Sequence, residues 1–289
     1  MTEPTRPAPI LFDGPMGTRL LARGLDLRVE EACEWSLDHP EEVEAIHRAD
    51  CLAGASLLRA NVFTAHRDGL ERRGQGRGAR LPRLLTQAVD LARRAGEGLP
   101  VVAALGPVGS HEEAAVHLVD HGVAAIWLET YTFLHALDQL PRLKRRIGQQ
   151  VPIWVTLFNW RDDPEQGPIT AQAARLIEAG AAAIGVNCVS CDDPQRIPLM
   201  TALRAAAGTR VPLIASPSIP PPPPDRPAPT PLEVAEQVLD WWRAGADGIG
   251  LCCGGNATHL AALHTLCANL PPRDPHSPLL LGDGPRPTT

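Results

Sequence analysis

Lysine, tyrosine and aromatic side chains in general are scarce in this 289-residue chain. Lys144 is the one lysine among 27 basic residues, Tyr131 is the one tyrosine, and aromatics make up 4% of the whole. So few rings argue against a ligand cage walled by several aromatics. The preference for arginine reads as compositional bias, not as chemistry. The net charge is −6 and no basic patch stands out, which sets aside nucleic-acid binding. No run of 18 apolar residues occurs, so no membrane span is expected. Residues 1–9 are polar and proline-rich and do not read as a secretory signal, so the expected location is cytoplasmic. The seven cysteines are an odd count for a disulfide framework and read as thiols or metal ligands.

What is present is an apolar content of 44% with 21% charged residues, enough for a sizeable core. Strand-length apolar runs occur at residues 10–13, 56–63, 101–105, 125–129, 153–157, 183–188, 213–216 and 248–253. Segments with helical spacing lie between them, for example 41–52, 84–95, 171–179 and 232–244. Eight buried strands, each followed by a helix, predict a parallel sheet closed into a (β/α)8 TIM barrel; an open doubly wound sheet is the rival arrangement. The barrel is expected over 10–270, with tails at 1–9 and 271–289, the second being rich in proline and glycine.

A finer repeat places a ring of polar groups. Gly54, Gly122, Gly180 and Gly245 each end a helical pattern and open a strand. Seven residues after each comes a polar residue: Asn61, Glu129, Asn187 and Cys252. Seven residues carry a strand about 23 Å, so all four are expected near the C-terminal mouth, where barrel enzymes keep their chemistry. Two segments interrupt the pattern. Residues 219–231 hold Pro220 to Pro224 in a row and read as a stiff extended loop after strand 7. Residues 72–80 carry arginines beside Gly74, Gly76 and Gly78 and read as a mobile basic loop.

The cysteines carry the strongest chemical signal. Cys252 and Cys253 are adjacent at the end of the last strand, and Cys188 ends the sixth, so three sulfurs can converge on one ion. Regular strand geometry points adjacent residues to opposite faces, so the chain must bend there, with Gly254 and Gly255 supplying the freedom. Three thiolates leave a fourth zinc position open, the arrangement of catalytic sites. Two other readings use Cys191: a closed four-sulfur site, or a Cys188/Cys191 redox pair. Cys33, Cys51 and Cys267 read as incidental thiols. A zinc with three thiolates is net anionic and a poor Lewis acid for hydrolysis; it suits holding a further thiol ionised. Asp13 and Glu129 end strands, where a carboxylate can hold a substrate ammonium, and Asn61 and Asn187 can bond a carboxylate or carbonyl.

These residues fall in an order that resembles the homocysteine S-methyltransferase family. Phe12-Asp13-Gly14-Pro15-Met16-Gly17-Thr18 is similar to its opening motif, and His39-Pro40-Glu41-Glu42-Val43 with Ile46-His47 to its first helix. Asn61-Val62-Phe63, Leu105-Gly106-Pro107, Glu129-Thr130, Gly185-Val186-Asn187-Cys188 and Cys252-Cys253-Gly254 follow in the family's order, over roughly residues 10–270. The resemblance implies a zinc-dependent barrel that methylates the sulfur of homocysteine to give methionine, placing it in methionine biosynthesis. It implies Cys188, Cys252 and Cys253 as zinc ligands, Asp13 and Glu129 on the amino group, and Asn61 or Asn187 shaping the pocket. No general base is required at the moment of transfer, since the thiol proton leaves on binding.

The chain departs from the family pattern at Gly250-Leu251, where the family carries Gly-Gly. It departs again at Pro217-Ser218-Ile219-Pro220, where the family has Pro-Asn-(small)-Gly, and in the short segment after Gly109. By exclusion of longer family members, the expected donor is a sulfonium, S-methylmethionine first and S-adenosylmethionine next. Trp35 is a candidate face for that cation. The partners expected are these small molecules alone, with the oligomeric state open. Two other functions stand beside this one: a barrel that binds zinc or a thiol without methyl transfer, as a sensor or partner subunit, and the Cys188/Cys191 redox protein.

Overall fold

The computed structural model describes residues 6–273 apart from 150, 223 and 226, so most of the two expected tails lies outside the described residues. Eight strands run in chain order: β1 (Ile10–Leu11), β2 (Leu58–Arg59), β3 (Val101–Leu105), β4 (Ile126–Tyr131), β5 (Ile153–Leu157), β6 (Ala183–Ser190), β7 (Leu213–Ser218) and β8 (Gly248–Ile249). They are hydrogen-bonded in the order β1-β8-β7-β6-β5-β4-β3-β2, every pair parallel. The two ends of that order meet. Phe12 pairs in parallel with Leu57, and the Ser56 N–H donates to the Leu11 carbonyl at 2.7 Å. The sheet is therefore the closed (β/α)8 barrel that the eight repeats predict, not the open sheet. Gly54, Gly122, Gly180 and Gly245 all have positive φ, at 95°, 79°, 103° and 130°, as helix-ending glycines should.

The helices are α1 (Met16–Leu21), α2 (Trp35–Asp38), α3 (Pro40–Leu52), α4 (Arg67–Arg73), α5 (Leu81–Ala95), α6 (Glu112–Asp120), α7 (Phe133–Ile147), α8 (Ile169–Glu178), α9 (Arg196–Ala207), α10 (Pro231–Arg243) and α11 (Ala257–Cys267). Their sequences explain where they sit. In α5, Leu81, Leu84, Leu85, Ala88, Val89 and Ala92 recur at helical spacing and are buried, while Arg83, Arg93 and Arg94 are exposed. α10 starts at a capping box: the Glu233 N–H donates to Thr230 Oγ1 at 3.3 Å and the Thr230 N–H to Glu233 Oε2 at 2.7 Å. Among the described residues, no helix is long and apolar enough to cross a membrane.

Three of the few aromatic rings fill the inside of the barrel. Phe12, Trp127 and Trp154 meet there, Phe12 edge-on to Trp127 at 5.4 Å and Trp127 edge-on to Trp154 at 5.8 Å. Small residues on facing strands make room: a Cβ at Gly248 or Gly250 would lie 2.4 or 2.7 Å from the Phe12 ring system and its Cβ. This plug closes the barrel axis and leaves the C-terminal mouth as the place for chemistry.

Three expectations are corrected. Residues 72–80 are not a free basic loop: α4 runs through 73, a 3-10 turn covers Arg77–Arg80, and Arg73, Arg77 and Arg80 are paired. Arg73 bonds Glu31 at 2.8 Å, and Arg77 and Arg80 both reach Glu34 at 3.0 and 3.1 Å. The acidic residues of 31–38 supply the charge that orders the segment. Second, residues 6–9 and 271–273, the described stubs of the two expected tails, are held against the barrel. Arg6 donates to the carbonyls of Trp242, Gly245 and Ala246 behind α10, and Arg273 donates to Ala8 O. Third, β1, β2 and β8 leave the sheet earlier than their apolar runs predict, before Asp13, Asn61 and Cys252. β4, β6 and β7 run further, to Tyr131, Ser190 and Ser218.

Candidate metal centre

Cys188 lies in β6 where pairing with β7 shifts register between Asn187 and Ser190. Its φ of 56° is left-handed, which takes the side chain out of the strand's alternation. Its Sγ lies 2.6 Å from Cys252 Sγ. Cys252 and Cys253 follow β8, and the chain bends there as the paired cysteines require. The Cys252 N–H donates to Pro217 O at 2.8 Å, the Ile219 N–H to Cys253 O at 2.8 Å, and the Gly255 N–H to Cys252 O at 3.1 Å. Gly254 makes the bend with φ 82°, and a Cβ on it would stand 2.5 Å from the Ile219 carbonyl oxygen. The three sulfurs lie within 4.8 Å of one another. One ion with metal–sulfur bonds of about 2.3 Å spans such a group.

The thiols compete for charge. Cys253 is pulled down to about 3 because Cys188 and then Cys252 donate hydrogen bonds to its thiolate. Cys188 is pushed up by its contacts with Cys252 and Cys253 and then by burial. Cys252 is raised as well: its contact with Cys188 acts the other way, but Cys253 and burial outweigh it. Thiols this close ionise one at the expense of the others. A divalent cation removes the conflict, and a set of three soft sulfurs suits zinc.

Cys191 does not join the cluster. It is buried and its Sγ donates to Gln237 Oε1 at 3.0 Å, so neither the four-sulfur site nor a Cys188–Cys191 pair forms. Among the described residues, the His, Cys, Asp and Glu groups placed to hold a metal are Cys188, Cys252 and Cys253. Asn187 braces the site. Its Oδ1 accepts from the Thr130 N–H at 3.0 Å, and its Nδ2 donates to Thr130 Oγ1 at 2.6 Å and to Cys188 Sγ at 3.3 Å. Thr130, like Cys188, has positive φ, at 67°. One amide thus holds both strained residues.

Asp13 and Glu129 come together around a residue that sequence reasoning passed over, Arg59. Its Nε donates to Asp13 Oδ1 at 2.6 Å and its Nη1 to Glu129 Oε1 at 2.7 Å. Its Nη2 donates to the carbonyls of Asp13 at 2.7 Å and of Leu251 at 3.0 Å, the latter next to Cys252. Its own N–H donates to Asp13 Oδ2 at 2.8 Å. The guanidinium lies 5.4 Å from the Trp127 ring. Burial alone would lower Arg59, but the Asp13 and Glu129 charges reverse this and its pKa is raised. Glu129 is pushed up to about 7 by burial; Arg59 opposes this, and the charges of Cys252 and Asp13 add to it. The signal for Arg59 was available: an arginine interrupts the apolar run 56–63, and two buried carboxylates need a cation.

The remaining expected residues sit elsewhere. Asn61 Nδ2 donates to Ala32 O at 2.7 Å and to Ser36 Oγ at 3.1 Å, so it anchors α2 and the turn before it. Trp35 is not an open face for a cation: it is 4% exposed and packs with Leu20, Leu25, Val43, Ile46 and Leu91.

Comparison with known proteins agrees with this geometry. The family model for homocysteine S-methyltransferase matches residues 10–267. The chain is similar to betaine–homocysteine S-methyltransferase 1 of Danio rerio, 26% identical over 88% of this chain and 72% of that one. The same enzyme of Sus scrofa is 27% identical over 72% of this chain and 81% of that one. The solved structure of the metallated form of the homocysteine methyltransferase MmuM from Escherichia coli superposes with a TM-score of 0.70. It is 23% identical, covers 90% of this chain and 97% of that one, and is a likeness of fold. With the match running from β1 to the last residue of α11, and so across both cysteine segments, the chain belongs to the homocysteine S-methyltransferase family.

Proposed function

We propose that this protein transfers a methyl group from a sulfonium donor, S-methylmethionine or S-adenosylmethionine, to the thiolate of homocysteine, giving methionine. The reaction uses a zinc ion held by Cys188, Cys252 and Cys253. The observation that carries this reading is the convergence of those three sulfurs at the barrel mouth with the fourth candidate, Cys191, turned away. When bound, zinc supplies the positive charge that keeps the acceptor sulfur ionised near neutral pH.

The protein's own residues do the rest. Asn187 fixes the position of Cys188 through its N–H···S contact and through Thr130. Cys253 is exposed, so the acceptor sulfur has an approach from solvent on that side. The polar end of the acceptor then faces Asp13, Arg59 and Glu129, which are joined to the ligand segment through the Leu251 carbonyl. With the acceptor's thiol proton lost on binding, attack on the methyl carbon would need no base, and the donor's sulfonium sulfur would leave as a neutral thioether. In place of Trp35, the exposed rings of Phe63 and Phe158, which follow β2 and β5, offer faces to a cationic donor. Free thiols at all seven cysteines fit a reducing compartment, the cytoplasm.

A second donor class has specific support. The sequence relatives are named for betaine, a quaternary ammonium that also carries its methyl on a cationic centre. The test is methionine formation by zinc-loaded protein from homocysteine and each of S-methylmethionine, S-adenosylmethionine and betaine. Turnover with a sulfonium, lost on chelation and regained with zinc, is the expected result. Turnover with betaine alone overturns the sulfonium assignment, and turnover with none overturns the methyl-transfer reading.

A further inference from the structure

In a pocket that recognises an amino acid by its ammonium group, the recognising carboxylates must be free to receive it. Here they are not. Asp13 has Oδ1 on Arg59 Nε and Oδ2 on the Arg59 N–H, and Glu129 has Oε1 on Arg59 Nη1. The guanidinium cannot swing aside without losing four donor contacts that span the ends of β1, β4 and β8. It is 8% exposed and seated by the Trp127 ring. An incoming ammonium would give up its water and lie beside a like charge, with the groups that should compensate it already engaged.

We propose that Arg59 is a specificity residue that takes the place of a substrate ammonium, so that the acceptor is selected by its thiol and not by its α-amino group. The acceptor class that follows is a short-chain thiol acid with or without an amino group, for which 4-mercaptobutanoate, homocysteine without its amine, is the probe. The inference rests on the thiol-methylating reading above.

The test uses zinc-loaded full-length protein and two readouts, Kd by titration calorimetry and kcat/KM with whichever donor turns over. A hydrogen bond to a free carboxylate from a charged group is worth about 10-fold to 150-fold in affinity. The expected result is that homocysteine and 4-mercaptobutanoate differ by less than about 10-fold. Homocysteine preferred by about 10-fold or more overturns the proposal while leaving methyl transfer intact. Arg59→Gln removes the guanidinium from Asp13 Oδ1 and Glu129 Oε1, and the ratio is expected to move about 10-fold or more toward homocysteine; an unchanged ratio in a folded variant also overturns it. Should that variant not fold, the wild-type ratio decides by itself. Binding of neither thiol contradicts the methyl-transfer reading and takes this inference with it.

Discussion

The bend at Gly254 is the part of the metal centre most open to a quantitative test. Gly254→Ala adds one methyl group at φ 82°, a conformation that costs a non-glycine residue about 1–2 kcal/mol. That methyl would stand 2.5 Å from the Ile219 carbonyl oxygen and 3.2 Å from its Cβ, so the two segments must part. Parting strains the Ile219 N–H bond to Cys253 O, worth about 1 kcal/mol. The sum is roughly 2–3 kcal/mol of folding stability, and the sulfur of Cys253 moves with its backbone. Denaturant unfolding should report the stability loss, and competition with a chromophoric chelator should report weaker zinc binding. Gly17→Ala is the control: it lies in α1 with nothing within 4 Å of its Cβ position, and should be neutral or slightly stabilising. A Gly254→Ala protein that unfolds within about 0.5 kcal/mol of the parent and binds zinc equally well would refute the reasoning.

Three further outcomes are expected. His47 is fully buried with both ring nitrogens unpartnered, and burial lowers it from 6.5 to about 4. The unfolded chain binds the proton first, so the stability this neutral ring carries is full above pH 6.5 and is lost as pH falls from 6.5 toward 4. His47→Leu should therefore improve relative to the parent by about 2 kcal/mol between pH 7.5 and pH 5, and a difference that does not vary with pH would contradict the assignment. Cys191→Ser should keep zinc stoichiometry and methyl transfer, since a hydroxyl can also donate to Gln237; lost zinc would return Cys191 to the site. Trp35→Ala should cost about 3–5 kcal/mol of stability while leaving the donor's KM unchanged, and a raised KM in a folded variant would restore Trp35 to the donor pocket.

Much of the frame is written in local sequence. The glycine that ends a helix and the apolar run that follows are neighbours in the chain, so the repeat of strand and helix can be read directly, while closure over an open sheet is fixed by the pairing of Phe12 with Leu57. The same is true of Cys252 and Cys253, whose adjacency demands the Gly254 bend. What could not be read depends on partners far apart in sequence. Arg59 draws its meaning from Asp13, Glu129 and Leu251, which arrive on three other strands. Arg73, Arg77 and Arg80 look free until Glu31 and Glu34 are placed against them. Asn61 shares the strand-end register of Glu129 and Asn187, yet its amide is claimed by α2 and the turn before it. The seven-residue register brings Asn61, Glu129 and Asn187 to the ends of their strands; it does not say which neighbours claim them.

The three-sulfur centre is the claim on which the rest depends. Zinc per chain, measured in protein purified under reducing conditions beside the Cys252→Ala variant, tests it most directly. About one zinc is expected in the parent and little in the variant. A folded, reduced parent that holds no zinc and takes up none when it is added would contradict it.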